Sequence, residues 1–253
     1  MQDAVEIVNP QGLADLVITG DHAGNTVPPE LGDLGLPRAE LARHIAWDIG
    51  AAGVARRLAN HLNAPAVLTR ISRLVIDPNR PLGEPESIPA VSDGSPSPGN
   101  RDLSAADRAA RAALSFHPYH QAIDREIERL RCAGRKPAVL CLHSFTPQLS
   151  VLGKPRPWHI GVMFSYDRVL ADYLIGALSA RAGLVVGVNE PYSGFVHGYA
   201  QKRHGLAQGL PHAQLEIRQD LIEGEAGQER WAGILAEVMT VWMKQNVSEV
   251  ANG

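Results

Sequence analysis

Short apolar runs that stop at polar residues recur along the chain. Residues 138–142 are wholly apolar and end at His143, and residues 16–19 run in the same way into Asp21 and His22. A short run without polar alternation is typical of a strand that is buried on both faces. Ligands of open α/β sheets bind beyond the carboxyl ends of the strands, so we expect both histidines at a binding edge.

Similar patterns predict the other elements. Strands are predicted over residues 65–69, 74–77, 159–164, 184–188 and His212–Arg218. Helices are predicted over residues 38–62 with a break near Asp48, 104–133 with an interruption at Pro118, 167–181 and 228–244. Strands that alternate with helices indicate a largely parallel sheet covered on both faces. We therefore predict an α/β fold, a three-layer domain with a mixed, mostly parallel β-sheet and helices on both faces.

Composition narrows the class of protein. The 253 residues, 45% of them hydrophobic, suffice for one large core, so a single domain is predicted over residues 1–253. The formal charge of −3 argues against a nucleic-acid partner. No run approaches the roughly 20 apolar residues of a membrane span, so no membrane partner is expected. The sequence indicates no particular oligomeric state.

The cysteines and the amino-terminal residues predict a cytoplasmic protein. Cys132 and Cys141 have neither zinc-finger nor redox spacing, and we interpret them as reduced thiols. Residues 1–12 show neither the basic nor the apolar region of a secretory signal, so no signal peptide is expected.

Two segments lack apolar periodicity. Residues 82–103 are crowded with proline, glycine and serine. A loop of this length is unusual in a compact domain and is often a lid or binding loop, although a simple surface excursion is the alternative. Residues 195–211 are polar and contain glycine, and we predict a loop there as well.

Polar side chains at the strand ends indicate a metal site. Two histidines, His22 and His143, together with one carboxylate would form the donor set of a catalytic zinc ion, whose fourth position stays open for water. A second carboxylate could then transfer protons, and Glu190 and Glu216 are candidates. Arg80 could hold an anionic substrate group. The chain has no HExxH motif, and histidines that merely cap loops are the structural alternative.

Four segments, in the same order, carry a family resemblance over nearly the whole chain. GDHAGNTVP, SRLVIDPNRP, PYHQAI and LHSFTP resemble segments of the N-formylglutamate amidohydrolase family, which is similar to the zinc carboxypeptidases and aspartoacylase-type deacylases. The resemblance implies a zinc-carboxypeptidase-like (phosphorylase/hydrolase-like) fold. It also implies zinc-dependent hydrolysis of an N-formyl or short N-acyl acidic amino acid, most specifically of N-formylglutamate to formate and glutamate.

The resemblance also implies roles for individual residues. His22 and His143 match the two zinc-binding histidines, and Glu216 matches the general base. Asn79 and Arg80 match the pair that binds the substrate carboxylate.

Other positions follow the family pattern less closely. Arg73 matches the arginine that stabilises the oxyanion, and we place Tyr192, on a strand-end loop, with the substrate-binding residues. Carboxypeptidases have a glutamate ligand three residues after the first histidine, where this chain has Asn25. The amidohydrolases carry an aspartate about two dozen residues downstream, which is Asp48 here. Asp48 or Asn25 would therefore complete the metal site.

Several residues have a structural alternative. Asp48 could cap the following helix, since aspartate is a favoured N-cap. Asp77 more readily fixes the turn at Pro78, and Arg80 could pair with Asp77 or Glu84. Helix packing is the expected role of His117, Tyr119 and His120, and ordinary packing or surface roles are expected for the remaining histidines. These are His44, His61, His197, His204 and His212.

The function has alternatives too. One is a related zinc peptidase or cell-wall amidase, for which residues 82–103 would form or block a groove for a longer substrate. Another is a binding protein that has lost its metal, for which Asn25 is the supporting feature.

Overall fold

The computed structural model describes residues 4–151 and 153–251, with side chains up to residue 245. The domain predicted over residues 1–253 thus includes residues 1–3, 152, 252 and 253, which lie outside the described ranges. The strands are β1 Val5–Val8, β2 Leu16–Gly20, β3 Ala66–Thr69, β4 Val91–Ser92, β5 Ser95–Pro96, β6 Ala138–Phe145, β7 Ile160–Met163, β8 Val186–Val188 and β9 His212–Arg218. The α-helices are α1 Arg38–Leu41, α2 Ala51–Leu62, α3 Ala105–Arg111, α4 His117–Cys132, α5 Val169–Ser179, α6 Tyr199–His204 and α7 Glu225–Ala251.

In the described part of the chain, seven strands form one mixed sheet in the order β1-β3-β2-β6-β9-β7-β8. Four of its six neighbour pairings are parallel, and the pairings β1–β3 and β7–β9 are antiparallel. The consecutive parallel strands β3, β2, β6 and β9 therefore end at one edge, which carries the candidate site. The predicted α/β fold class is confirmed.

Alternate side chains of the central strands enter two cores. Val17 and Val139 pack against α4 through Tyr119 and Ile123. On the opposite face, Leu140 and its neighbours pack against α2, α5 and α7. Because strand side chains alternate with a period of two, strands covered on both faces are apolar throughout. None of the helices in the described ranges combines the length and hydrophobicity needed to cross a bilayer.

Of two sequence predictions near the site, one is wrong and one is confirmed. Residues 74–77 are buried but do not form a strand; Leu74 and Val75 lie in a turn in which Val75 N donates to Ser72 O at 2.9 Å. The break predicted near Asp48 within residues 38–62 is confirmed: two helices, α1 and α2, are separated by nine residues that include Asp48. Gly50 lies at the start of α2 with φ of 80°, and a Cβ there would lie 2.2 Å from Ile222 O. Only glycine fits this position, so the helix cannot pass through it.

The predicted interruption at Pro118 takes the form of a π-helical turn. Residues Ala112–Phe116 form this turn between α3 and α4. Proline lacks an N–H and its ring displaces the carbonyl four residues earlier, so a wider turn absorbs the mismatch without ending the helix. Ser104 opens α3 with the predicted capping box, which it forms with Asp107.

Buried side chains fix the segment 82–103 to the rest of the protein. Its Asn100 donates to Leu74 O and Pro89 O, both at 2.8 Å, and accepts from Arg111 at 2.6 Å. Ile88 joins a separate apolar cluster with Ile76 and Phe116. Buried polar side chains thus fix a segment that has little apolar periodicity of its own.

Candidate active site

The carboxyl ends of neighbouring parallel strands bring the predicted residues together. His22 follows β2, His143 lies near the end of β6, and Asp48 precedes α2. Glu216 of β9 is the register partner of His143. Gly24 permits the tight return of the chain after His22, since a Cβ there would lie 2.3 Å from Arg70 O.

His22, Asp48 and His143 form a buried cluster with metal-ligand geometry. One donor atom from each lies within 4.8 Å of the other two. His143 Nδ1 lies 2.8 Å from Asp48 Oδ2, and His22 Nδ1 lies 3.4 Å from Asp48 Oδ1. Both histidines therefore turn Nδ1 towards the same carboxylate.

The outer nitrogen of each histidine is backed by a second carboxylate. His22 Nε2 lies 2.7 Å from Asp77 Oδ1, and His143 Nε2 lies 3.1 Å from Asp21 Oδ2. Tyr119 donates a short hydrogen bond to Asp21. A carboxylate that accepts the Nε2 hydrogen leaves Nδ1 with its lone pair, which is the arrangement found behind metal-binding histidines.

The cluster fits a divalent metal. Among the described residues, the buried His22 Nδ1 has no hydrogen-bond partner, which is costly unless another group binds it. Burial alone would raise the pKa of Asp48, but His22 and His143 outweigh burial and lower it, so this carboxylate is ionised. Burial lowers the pKa of His143, but Asp21 and Asp48 outweigh it and raise the pKa well above its usual value. Metal binding at Nδ1 would therefore release a proton.

The choice between Asp48 and Asn25 follows from the same contacts. Asp48 makes no side-chain cap on α2; its carboxylate accepts from Ser144 N at 3.2 Å and faces both histidines. The capping alternative is therefore wrong. The Asn25 amide donates to Leu41 O at 3.0 Å, away from the cluster.

Glu216 lies beside the cluster in an environment that favours its neutral form. It is 4% exposed and accepts from Gln214 Nε2 at 2.7 Å. Burial raises its pKa to about 7, a value suited to exchanging protons near neutral pH. The predicted strand end therefore supplies a buried carboxyl group next to His143.

Asp77, Asn79 and Arg80 belong to the turn around Pro78, beside the cluster. Asp77 accepts from Asn79 N at 2.8 Å, as expected for a turn at Pro78, and also from Arg73 Nη2 at 2.6 Å. Arg80 contacts neither Asp77 nor Glu84 as an ion pair; its Nε lies 4.0 Å from Glu86.

A pocket that is partly open to solvent joins these groups. The predicted site residues all line it, namely His22, Asp48, Arg73, Asn79, Arg80, His143, Tyr192 and Glu216. His44 and His197, predicted to have ordinary roles, also line it, whereas Glu190 is exposed elsewhere on its loop.

Two residues that support the cluster, Asp21 and Tyr119, were not predicted as site residues. Asp21 precedes a predicted ligand, and Tyr119 was expected to pack within its helix. Their roles depend on a contact between residues 98 positions apart, which no local pattern reveals. The adjacent Asp21-His22 pair at a strand end is the signal that could have pointed to Asp21.

Comparison with known proteins agrees with this architecture. A solved gene product from Agrobacterium tumefaciens is 36% identical, with a TM-score of 0.90 over 98% of this chain and 96% of that one. N-formylglutamate amidohydrolase from Ralstonia eutropha JMP134 is 20% identical, with a TM-score of 0.72 over 96% and 99%. A search of curated proteins finds no match. The family model for N-formylglutamate amidohydrolase matches residues 14–223, and the chain therefore belongs to the N-formylglutamate amidohydrolase family.

Proposed function

We propose that this chain, a member of an amide-hydrolysing family, is a zinc-dependent hydrolase of N-formyl or short N-acyl acidic amino acids. N-formylglutamate is the substrate that the family match favours, with formate and glutamate as products. Its partner is thus a small anionic molecule.

The observation that supports this proposal most is the convergence of His22, Asp48 and His143 in a pocket that also contains Glu216 and Arg80. Two histidines and one carboxylate would hold zinc and leave a position open. Zinc bound there supplies Lewis-acid polarisation of the scissile carbonyl and acidifies water. Glu216 takes a proton from the attacking water and returns it to the leaving amine, a role that its raised pKa of about 7 suits.

The cationic side chains of the pocket suit an anionic substrate. Arg80, with Nη1 bonded to Asn79 O at 3.1 Å, holds a substrate carboxylate together with the Asn79 amide. Arg73, held by Asp77, stabilises the charge that develops on the substrate oxygen. Tyr192 lines the same pocket, and its hydroxyl accepts from Arg156 at 3.1 Å and keeps its own hydrogen for substrate.

A substrate panel and a metal determination test the proposal together. We expect N-formylglutamate to be hydrolysed faster than N-acetylglutamate and than a dipeptide. Protein purified without chelator should contain about one equivalent of zinc. Preference for peptides would favour a peptidase or cell-wall amidase. Little metal, with no activity gained on adding metal ions, would favour a binding protein.

Glu216→Gln tests the general base. Turnover should fall by at least about 10²-fold because the glutamine amide cannot take up a proton from water. Zinc content should not change, since the ligands are untouched. Glu190→Gln, on an exposed loop outside the pocket, is the matched control and should retain activity. A fully active Glu216→Gln enzyme would refute the assigned base.

A further inference from the structure

A second pair of buried histidines lies outside the metal cluster. His120 of α4 and His204 of α6 are 1% and 0% exposed. Their rings lie edge to edge, with centroids 5.0 Å apart and planes inclined by 25°. Neither histidine has a role in the proposed mechanism. Burying their ring nitrogens costs free energy unless these atoms form hydrogen bonds.

The pair forms one continuous chain of hydrogen bonds. His120 Nε2 lies 3.0 Å from Pro78 O, and His120 Nδ1 lies 2.7 Å from His204 Nε2. His204 Nδ1 lies 2.9 Å from Asp124 Oδ1. The chain thus runs from a partly exposed carboxylate to the peptide that precedes Asn79.

Chemistry fixes the direction of these bonds. Pro78 O can only accept, so His120 carries its hydrogen on Nε2 and accepts at Nδ1 from His204 Nε2. Burial lowers the pKa of His120 to about 3, which keeps this ring neutral and its Nδ1 free to accept. His204 Nε2 and Nδ1 face His120 Nδ1 and the Asp124 carboxylate, which both accept, so the chain is complete when His204 carries a hydrogen on each nitrogen. Burial lowers the pKa of His204, and Asp124 partly offsets this.

The same helix α6 also holds the neighbouring residue. Ala200 N, in its first turn, donates to Asn79 Oδ1 at 3.0 Å. Asn79 O in turn accepts from Arg80 Nη1 at 3.1 Å. The turn of residues 78–80, called here the Pro78–Arg80 corner, is therefore held at one side chain and one carbonyl by residues of α6 and α4.

We propose that His120 and His204 are positioning residues that hold the Pro78–Arg80 corner so that Arg80 can bind the substrate carboxylate. The inference rests on the proposed function of Arg80. His120 acts on Arg80 through Pro78 and does not contact substrate, so its loss affects substrate binding more than the chemical step.

Kinetics of His120→Phe test this role. Loss of one buried hydrogen bond to Pro78 O is expected to raise KM for N-formylglutamate about tenfold and to leave kcat within about threefold. His120→Gln, which retains one donor and one acceptor, should restore most of the affinity. Tyr173→Phe, which removes the hydrogen bond to Val238 O on the far face, is the matched control and should leave KM unchanged. An unchanged KM in His120→Phe, or a loss confined to kcat, would overturn the proposal.

A double-mutant cycle separates positioning from general destabilisation. In an Arg80→Ala background, His120→Phe should change kcat/KM by less than about twofold, because no guanidinium is left to position. An equal effect in both backgrounds would mean that His120 acts independently of Arg80 and would overturn the proposal.

Two measurements need no activity and keep the proposal testable if the variant does not fold or the substrate is wrong. Nitrogen-15 NMR of the wild-type protein should show the His120 hydrogen on Nε2, and a bare Nε2 would overturn the proposal. A crystal structure of His120→Phe should show Arg80 displaced relative to wild type, and an unmoved Arg80 would also overturn it. If the wild-type protein hydrolyses no N-acyl amino acid, the proposed function fails, whereas these two measurements still decide the role of His120.

Discussion

At the scale of single residues, His22 and His143 are each held between two carboxylates. Asp48 faces both Nδ1 atoms, while Asp77 and Asp21 face the Nε2 atoms. In metal sites such backing fixes the ring orientation and increases the basicity of the nitrogen that binds the metal. Asp21 is therefore expected to influence metal affinity without binding the metal.

Asp21→Asn tests this influence. Metal affinity should fall about 10–100-fold, because an amide accepts the His143 hydrogen less strongly than a carboxylate does. Competition with a chromophoric zinc chelator measures it. The control is Asp167→Asn, which alters a carboxylate 3.6 Å from the buried His212, remote from the cluster. Equal affinities for Asp21→Asn and wild type would contradict the assigned role.

Glu216 makes the stability of the metal-free protein depend on pH. Burial raises its pKa from 4.5 to about 7, so the folded state binds this proton more tightly than the unfolded chain does. The contribution to stability is complete below about pH 4.5 and is lost as the pH rises through about 7. Glu216→Gln does not titrate and keeps its stability over this pH range. The difference between its free energy of unfolding and that of the wild type should therefore increase by roughly 3 kcal/mol as the pH rises from about 4.5 to above 7.

Urea unfolding of both metal-free proteins at about pH 5 and about pH 8 measures this difference. Glu190→Gln, with its exposed side chain, should show no such trend. A difference that stays constant with pH would show that Glu216 is ionised throughout.

Some residues of the candidate site were predictable from the sequence and others were not, depending on whether their contacts follow a local pattern. The meeting of His22, His143 and Glu216 was predictable because the two histidines follow apolar runs and Glu216 interrupts a late strand of the same sheet. The backing of His143 by Asp21 and Tyr119 was not, since it needs the packing of α4 against β2.

At the scale of elements, buried polar side chains fix segments that have little apolar periodicity. Asn100 and Arg111 connect residues 82–103 to the turn at Leu74 and Val75. The strand predicted over residues 74–77 failed for a related reason: its apolar residues fill the cluster under this segment without pairing with another strand. Helix α6 was missed because six residues offer too short a period to recognise.

Asn100→Ala should release this segment. The substitution leaves two backbone carbonyls and one Arg111 donor without their partner, so the free energy of unfolding should fall by about 2 kcal/mol. Limited proteolysis should then cut faster within residues 82–103. Arg108→Ala changes an exposed residue of α3, the helix that contains Arg111, and is the control. Unchanged cleavage in Asn100→Ala would show that other contacts hold the segment.

At the scale of the whole molecule, the order of the strands decides which side chains meet. The parallel neighbours β2, β6 and β9 come from the beginning, middle and end of the chain. The alternation of strands and helices predicted such a sheet, but the order of its strands and the reversed direction of β7 depend on long-range pairing.

This strand order sets the moment during protein synthesis at which the site can exist. A nascent polypeptide that has not yet added β9 lacks Glu216 and also the strand that pairs with His143. The two histidines leave the ribosome long before the acid that completes the pocket. A partly made chain therefore lacks the proposed general base, and the arrival of its last strand completes the sheet and the candidate site together.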